Sequence, residues 1–473
     1  MAFSLRASIA CSVITLSSAC SLMVDSSGLA GAESSDQNVD RAESGTSNDG
    51  GGVTGGDGGN VTDDGGVGDA GPDVVTDAGP GTGDPAFGNA GVVHVSLGTS
   101  TTVGSFALQS DGKIIVGGGV MRVDNYDFYL KRLLANGADD TTFNGSGSAF
   151  YDFQGNDEWV EDVLIQPDGR IVVTGESWQS GGFDLALVRF MPAGTIDTSF
   201  GTSRTNVSQD DLPLRLLRQS DGKILAIGNS GTKSQYQFSG ARFTSNGAPD
   251  TSFGSGGSFH TLFGTGNCPG RDGLLLTDGT VLVTGAVTQA ASDMNFGLAR
   301  YTSAGALDTT FCSNGLCAYS FGTGEDFVYG IAAQSDGKVL MAGYMTKQGH
   351  YHSALVRVGA DGSYDTTFGN AGKVTLDVSG NDLVGNVAVF GDWIYLSGYV
   401  ETGVNASDLY VARLDMSGQL DPSFGISGVA TFHLGDGENW PGRMLVQNDG
   451  KVVVVGTTGP QNAQSGYVLR VVP

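Results

Sequence analysis

Residues 189–200, RFMPAGTIDTSF, contain the pattern Arg-x4-Gly-x2-Asp-x2-Phe, and this pattern decides the fold of the chain. Its Asp-x-x-Phe part recurs from residue 84 onward at intervals of 53 to 58 residues. The Phe of each copy stands at Phe87, Phe143, Phe200, Phe253, Phe311, Phe368 and Phe424. A sustained period of this length is typical of repeat architectures such as propellers and solenoids.

A tight turn between two apolar runs occurs once in every repeat. Six repeats have Asp-Gly at this point, as at Asp168-Gly169, and the sixth has the inverted order Gly391-Asp392. Asp-Gly predicts a type I′ hairpin turn, and the inverted order predicts a turn with Gly first. Four strands can be assigned in each repeat. In the second repeat they are Ser148–Phe153, Val160–Gln166, Arg170–Gly175 and Phe183–Phe190.

The ends of the repeat array complement each other. In six repeats the Arg that ends the fourth strand stands eight residues before the next Asp, but Arg470 has no Asp after it and Asp84 has no Arg before it. The last repeat should therefore lie beside the first, which predicts an all-β, seven-bladed β-propeller of four-stranded antiparallel blades. An open β-solenoid is the alternative, although solenoids usually have shorter units and atypical end repeats.

The repeated Arg residues have two possible roles. We expect each one to pair with the Asp of its own turn, and Arg470 to pair with Asp84 and close the ring. A ring of seven arginines that binds an anion in the channel is the alternative.

Three short units, Asp-x-x-Phe-Gly, Gln-Ser-Asp-Gly-Lys-Ile and Leu-x-Arg, resemble the delta-60 repeat, a bacterial unit that forms propellers and is often found in exported proteins. The resemblance covers all seven repeats from Asp84 to the end of the chain, and the sixth departs from it in the Asp-Gly order. It implies the propeller fold and an extracellular setting, and it carries no common catalytic residues.

The N-terminus predicts an exported lipoprotein. Residues 1–19 have one early positive charge and an apolar run too short to span a bilayer, so they predict a cleaved signal peptide. Residues 16–20, LSSAC, resemble a bacterial lipobox, with Ser17 where an aliphatic residue is usual. We expect Cys20 to be lipidated and to anchor the chain to the cell envelope, at the outer membrane or cell surface. Plain export is the alternative.

A tether separates this anchor from the propeller. Residues 21–83 contain 17 glycines and neither an aromatic residue nor a Lys. Such a segment cannot bury enough apolar surface to order itself. The predicted organisation is therefore a signal peptide over 1–19, a disordered tether over 20–83 and the propeller over 84–473.

Charge, cysteine and histidine content narrow the partners. A net charge of −26 disfavours nucleic acid and anionic headgroups. Cys312 and Cys317 lie five residues apart in a turn of an exported chain, which predicts a local disulfide. His350 and His352 share one face of a strand, but the repeat plan offers no matching carboxylate or third His. We therefore predict no metal site and no cofactor.

Variation in spacing points to one face for binding. The turn from Arg to Asp and the Asp-Gly turn keep their lengths in the repeats, whereas the loops on the opposite face vary in length and sequence. Several of these loops carry an acid followed by a large apolar residue. The predicted ligand-binding residues are Asp157, Glu158, Trp159, Glu325, Asp326, Phe327, Glu438 and Trp440. The alternative is that the apolar members plug gaps between blades and the acids are simply solvated.

No catalytic motif stands out in the chain. We find no Gly-x-Ser-x-Gly, His-Glu-x-x-His or phosphate-binding loop. We expect a monomer that displays its propeller as a binding, adhesion or scaffold module for a glycan, a cation or a protein. The alternative is an extracellular hydrolase of the glycosidase type, which needs only two suitably spaced carboxylates at the propeller mouth.

Overall fold

A computed structural model describes residues 79–473 except 154, 155, 180, 201, 202, 207, 233, 265, 291, 292, 313, 461 and 462. The predicted signal peptide, Cys20 and most of the predicted tether lie outside these residues. Within the described part of the chain, no helix has the length and apolar character needed to cross a membrane.

Seven four-stranded antiparallel sheets make up the structure, which confirms the predicted seven-bladed β-propeller. Blades one to three comprise β2 (Thr101–Leu108), β3 (Ile114–Met121), β4 (Tyr126–Leu133) and β5 (Ser148–Tyr151); β6 (Glu158–Ile165), β7 (Ile171–Gln179), β8 (Gly182–Phe190) and β9 (Ser203–Thr205); and β10 (Asp210–Arg218), β11 (Ile224–Thr232), β12 (Gln235–Phe243) and β13 (Ser258–Thr261).

Blades four to six comprise β14 (Gly270–Leu275), β15 (Val281–Ala290), β16 (Asp293–Tyr301) and β17 (Leu316–Tyr319); β18 (Asp326–Ala333), β19 (Val339–Lys347), β20 (His350–Val358) and β21 (Lys373–Thr375); and β22 (Asp382–Phe390), β23 (Trp393–Gly403), β24 (Ala406–Asp415) and β25 (Val429–Phe432). Blade seven contains β26 (Asn439–Val446), β27 (Val452–Thr458), β28 (Ser465–Val471) and the first strand of the chain, β1 (Val92–Val95). A 3-10 turn covers Phe143–Gly145.

The blades are offset from the sequence repeats by one strand. The strand that follows Asp-x-x-Phe pairs with the strand before it, as Ser148–Tyr151 pairs with β4, so it completes the preceding blade. The cause is the short link from Arg to Asp, which closes an antiparallel hairpin, whereas the longer loop after this strand crosses to the next blade. The four strands assigned to the second repeat, from Ser148–Phe153 to Phe183–Phe190, therefore belong to two blades.

The innermost strand of each blade is the first after this crossover, because β2, β6, β10, β14, β18, β22 and β26 lie beside one another around the central channel. Each of these strands has a β-bulge at the same level, as between Val160 and Asp162. A bulge leaves an extra residue unpaired and re-aims its side chain. The extra residues are Gly104, Glu161, Leu214, Arg271, Tyr329, Gly385 and the pair Gly442-Arg443.

The Asp-Gly turns have a different type from the one predicted. The Gly has a positive φ, 82° at Gly169, but the preceding Asp does not. The backbone N–H of Gln166 donates to the carbonyl of Arg170, so three residues form the loop. This is a type I turn followed by a left-handed Gly, and the prediction of type I′ was wrong. Gly391 has a φ of 57°, consistent with a turn that has Gly first.

A three-residue unit of Arg, Asp and Phe joins neighbouring blades. The Arg Nε atom donates to the Asp Oδ2 atom at 2.7 to 2.9 Å in all seven copies. The guanidinium also lies 4.4 to 4.9 Å from the centre of the Phe ring. In six copies it donates to a turn carbonyl of the next blade, as from Arg132 to Pro192 at 2.8 Å. The arginines therefore do not form a free ring in the channel.

Residues just before Asp84 also make contacts in the described structure. Gly81 donates its N–H to the carbonyl of Val472, and the carbonyl of Pro80 accepts from Gly425. Residues 80–83 thus pair with the end of β28, beyond the stretch that β1 covers, and with the turn at Gly425. They bond to backbone N–H and C=O groups that would otherwise be unpaired at this sheet edge. Residues 79–83 of the predicted tether are therefore part of the described structure. Cys312 and Cys317 form the predicted disulfide, which lies on the face of the fixed turns.

Candidate functional site

The acids of the predicted loops are mostly buried structural acceptors. Glu158, the first residue of β6, has no exposed surface and accepts hydrogen bonds from the N–H of Phe153 at 3.0 Å. Asp326 accepts from the N–H of Phe321 at 2.6 Å in the same way. Burial raises the pKa of Glu158 to about 8 and that of Asp326 to about 6. These acids fix the crossover between blades and are not solvated on a binding face.

The large apolar residues beside these acids fill spaces between blades. Trp159 is 5% exposed and lies between Tyr126 and Phe183, with ring centres 5.3 and 6.1 Å away. Phe327 is 4% exposed and stacks on Tyr344. The expectation that Glu158, Trp159, Asp326 and Phe327 form an exposed surface was therefore wrong, because the crossover packs their side chains inward.

The two half-buried residues Asp157 and Glu325 also bond to neighbouring backbone, Asp157 through its carboxylate and Glu325 through its main-chain carbonyl. Asp157 accepts a hydrogen bond from the N–H of Tyr126 at 3.1 Å, and the Glu325 carbonyl accepts from Thr346 at 3.0 Å. Of the eight predicted residues, Glu438 and Trp440 line the open pocket described next.

That pocket is a groove between blades five, six and seven on the face of variable loops. Its volume is about 580 Å³. Tyr399 and Trp440 form its aromatic part, with ring centres 5.0 Å apart in an edge-to-face arrangement. The tip of the β23–β24 hairpin, including the 94% exposed Val404, forms one rim. We call this pocket the loop-face groove.

Polar side chains in the loop-face groove are ordered by one another. Glu438 Oε2 accepts a hydrogen bond from Trp440 Nε1 at 3.1 Å, which fixes the indole. Asn381 Nδ2 donates to Glu401 Oε2 at 2.7 Å, and Asn381 Oδ1 lies 3.2 Å from His350 Nδ1. The groove thus combines two aromatic faces with two carboxylates, an amide and an imidazole.

An ion-pair network closes the central channel. Arg443 of blade seven reaches across the channel to Asp272 of blade four at 3.6 Å and also lies 3.4 Å from Asp162. Arg215 lies 3.5 Å from Asp272 and 3.9 Å from Asp162. Two cations and two anions therefore form a plug, which we call the channel plug.

Ionisable groups also gather on the loop-face side of the channel plug. Burial raises the pKa of Glu161 to about 8, and the Asp162 charge adds to this. Burial and the charges of Glu161 and Asp210 raise the pKa of Glu176 well above its usual range. The Arg271 guanidinium lies 4.9 Å from the centre of the Phe327 ring. These side chains form a recess that holds two acids with a raised pKa, Glu161 and Glu176, and one cation, Arg271.

Two groups of side chains in the described chain could hold a metal ion. They are His352, Asp377 and Asp382, and Asp127, Asp152 and Glu158; in each group the ligand atoms all lie within 4.8 Å of one another. The sequence did not predict a carboxylate beside His352. Asp377 follows β21 and Asp382 begins β22 of the next blade, so their proximity to His352 depends on the fold.

Most of the loop-face groove escaped sequence reasoning. Tyr399 directly follows Gly398, a glycine that recurs in every repeat, and Glu401 lies two residues further along the same hairpin. The interval from Gly398 to Arg413 is 15 residues, one more than in most repeats, which is the one signal that the sequence offered. The convergence of three blades on the groove could not be deduced from it.

Known proteins support the fold. Six segments match a family model described as Domain of unknown function (DUF5122) beta-propeller: residues 109–143, 166–200, 219–253, 276–311, 334–368 and 392–424. No curated protein sequence matches the chain. The chain is a β-propeller repeat protein.

Solved structures with the same fold are distant in sequence. Drosophila Semaphorin 2a is 8% identical with a TM-score of 0.50, over 80% of this chain and 75% of that one. The polysaccharide lyase Uly1 is 12% identical with a TM-score of 0.46, over 81% and 91%. The GH74 xyloglucanase from Xanthomonas campestris is 11% identical with a TM-score of 0.41, over 79% and 55%. At such identities the likeness concerns the fold alone.

Proposed function

We propose that the chain is an envelope-anchored binding module that recognises a glycan in the loop-face groove. The observation that carries this proposal is the Tyr399–Trp440 pair, with Glu401 and Glu438 beside it. A sugar ring has an apolar C–H face that packs on an aromatic ring and a rim of hydroxyls that donate to carboxylates. The groove offers both surfaces together.

Pre-ordered side chains favour a rigid ligand of this kind. Trp440 is held by Glu438, and Glu401 is held by Asn381, so little side-chain freedom remains to be lost when a ligand binds. Peptide recognition usually adds a strand to a sheet edge or fills a groove that accepts a helix. The loop-face groove is instead formed by hairpin tips and crossover loops.

The proposed anchor is consistent with the position of the groove. Pro80, near the start of the described chain, bonds to Gly425 on the face of fixed turns. The loop-face groove lies on the opposite face. A lipid on Cys20 would hold the protein at the envelope, at the outer membrane or cell surface. Replacing Cys20 by Ser should move the protein from the membrane fraction to the soluble fraction; unchanged fractionation would contradict the lipid anchor.

An array of neutral and amino-sugar oligosaccharides tests the proposed ligand class. We expect the full chain to bind a subset of the array, and Trp440→Ala to lose that binding. Trp178→Ala is a matched control, because Trp178 is 38% exposed on blade two and does not line the groove. Equal binding by Trp440→Ala and the unaltered chain would reject the groove as the site.

A second candidate, a hydrolase of the glycosidase type, is favoured by the recess above the channel plug. Glu161 is suited to act as a general acid, since burial raises its pKa to about 8. Release of reducing ends from oligosaccharides that bind the array, abolished in Glu161→Gln, would support this candidate. Binding without release would leave the chain a binding module.

A further inference from the structure

His352, Asp377 and Asp382 come together from three separate segments of the chain. His352 lies on β20, and the hydrogen bond from the Leu376 N–H to the Ser353 carbonyl extends the β20–β21 pairing so that Asp377 lies opposite His352. Asp382 opens β22 of the next blade. One nitrogen and two carboxylate oxygens thus meet within 4.8 Å of one another where blade five joins blade six.

The His352 imidazole has no hydrogen bond or ion pair with any residue that the structure describes, although it is half-buried. Asp377 and Asp382 likewise have no Lys or Arg within 4.0 Å in the described chain. An imidazole without a hydrogen-bond partner, next to two carboxylates without a Lys or Arg, is a donor set that a metal ion would complete.

The equivalent positions in two other blades are completed by the protein itself. In blade six, His433 Nδ1 lies 2.8 Å from Asp408 Oδ1, and Asn439 replaces the third acid. In blade one, Asp127 lies 3.4 Å from the guanidinium of Arg122 and accepts a hydrogen bond from Asn125. Both sets therefore contain their own positive charge or donor. In the described chain, the His352 imidazole of blade five makes no such hydrogen bond to Asp377 or Asp382.

Asp382 is already oriented for a ligand. Its Oδ1 atom accepts the N–H of Ser353 at 2.8 Å and its Oδ2 atom accepts the N–H of Val378 at 3.1 Å. Each carboxylate oxygen keeps a further lone pair. Hydrogen bonds of this kind commonly hold metal-binding carboxylates in place.

We propose that His352, Asp377 and Asp382 bind a divalent transition-metal ion, and that Zn²⁺ fits this donor set best. Imidazole nitrogen and carboxylate oxygen are usual zinc ligands, whereas Ca²⁺ and Mg²⁺ take oxygen alone. Zinc lies about 2.1 Å from such ligands, so two of them are at most about 4.2 Å apart. The exposed Asp377 side chain can move the small remaining distance.

The ion would connect two blades beside the loop-face groove. It would join the outer strands of blade five to the innermost strand of blade six and so fix residues 377–382. This segment contains Gly380 and Asn381, which line the groove. Three protein ligands leave a fourth position for water or for a ligand atom.

Zinc content and thermal stability of the full chain, purified without a polyhistidine tag, test the site. After equilibration with excess Zn²⁺ and desalting, we expect one additional bound ion per chain compared with His352→Ala, and a higher melting temperature on addition of Zn²⁺ that this variant lacks. Asp377→Asn, which changes an exposed side chain, should also lose the ion and keeps the test valid if His352→Ala fails to fold.

His433→Ala is the matched control, because its exposed imidazole occupies in blade six the position that Asp377 has in blade five. It should keep the ion. Equal zinc content in the unaltered chain and in both His352→Ala and Asp377→Asn would overturn the proposal. So would no bound zinc in the unaltered chain, or binding of Ca²⁺ in preference to Zn²⁺.

Discussion

Arg470 and Asp84, separated by 386 residues in the chain, are joined by a hydrogen bond of 2.7 Å from Nε to Oδ2. Both side chains are buried, and β1 pairs with β28 beside them. Burial favours a higher pKa for Asp84, but hydrogen bonds from Ala86 and Lys451 and the nearby charges of Arg470 and Lys451 lower it overall. The contact has the same form as the six internal Arg–Asp contacts.

The first prediction concerns this contact. Arg470→Ala should lower the free energy of unfolding by about 3 kcal/mol, because it leaves the buried Asp84 carboxylate with the more exposed Lys451 in place of the buried guanidinium. Arg242→Ala, at an internal copy, should cost a similar amount. Urea denaturation followed by circular dichroism and by tryptophan fluorescence should give one coincident transition in both variants. An early transition confined to one signal in Arg470→Ala would contradict cooperative closure.

The channel plug supplies a second prediction. Arg443→Ala should destabilise the protein by about 3 kcal/mol, since Asp162 and Asp272 would then share Arg215 as their only ion-pair partner there. Arg218→Ala is the control, because Arg218 lies on an innermost strand but makes no ion pair in the described chain. Equal urea midpoints for the two variants would show that the plug contributes nothing to stability.

A third prediction follows from Glu161. Its pKa is about 8 in the folded protein against an ordinary value of 4.5. A raised pKa contributes stability that is complete below the unfolded value and is lost as pH rises through the folded value. The melting temperature should therefore fall between about pH 4.5 and pH 8, opposed in part by the nearby Arg443 and Arg271.

Glu161→Gln should make this fall shallower without abolishing it, because Glu176 titrates in the same recess. Replacing the exposed Asp124 by Asn should leave the slope unchanged. Melting curves across this pH range provide the measurement. A slope that is identical in Glu161→Gln would mean that Glu161 does not titrate abnormally.

The fourth prediction concerns affinity in the loop-face groove. Removing the indole in Trp440→Ala should weaken binding of an array-selected oligosaccharide by about 30-fold, equivalent to about 2 kcal/mol. Glu401→Gln keeps the size of its side chain but removes the charge, and it should weaken binding less. Isothermal titration calorimetry measures both. A larger loss in Glu401→Gln than in Trp440→Ala would favour a cationic ligand over a neutral sugar.

Much of the fold could be deduced from the sequence, because the repeat records the same local rules seven times. The constant spacing from Arg189 to Asp197 indicated an Arg–Asp pair in each repeat, and the unmatched Arg470 and Asp84 indicated a ring. The offset between repeats and blades was missed, since strand pairing across a short turn and across a longer loop leaves similar apolar patterns.

The candidate site was harder to predict, because it depends on distances between blades. An acid before a large apolar residue describes Glu158-Trp159 as well as Glu438-Asn439-Trp440, yet the first pair is buried by its crossover and Trp440 lines a groove. The neighbours that decide this difference come from other repeats. The same holds for His352. The two carboxylates near it are those of Asp377, just after β21, and Asp382, in the next blade.

The outermost strands of the blades are short, with only three or four residues each in β1, β5, β9, β13, β17, β21 and β25. An unpaired strand edge is a template for aggregation, and its length sets how many hydrogen bonds a second molecule can add. Such brief edges offer too few for stable edge-to-edge pairing. Many copies could therefore stand crowded together without forming fibres through their sheets.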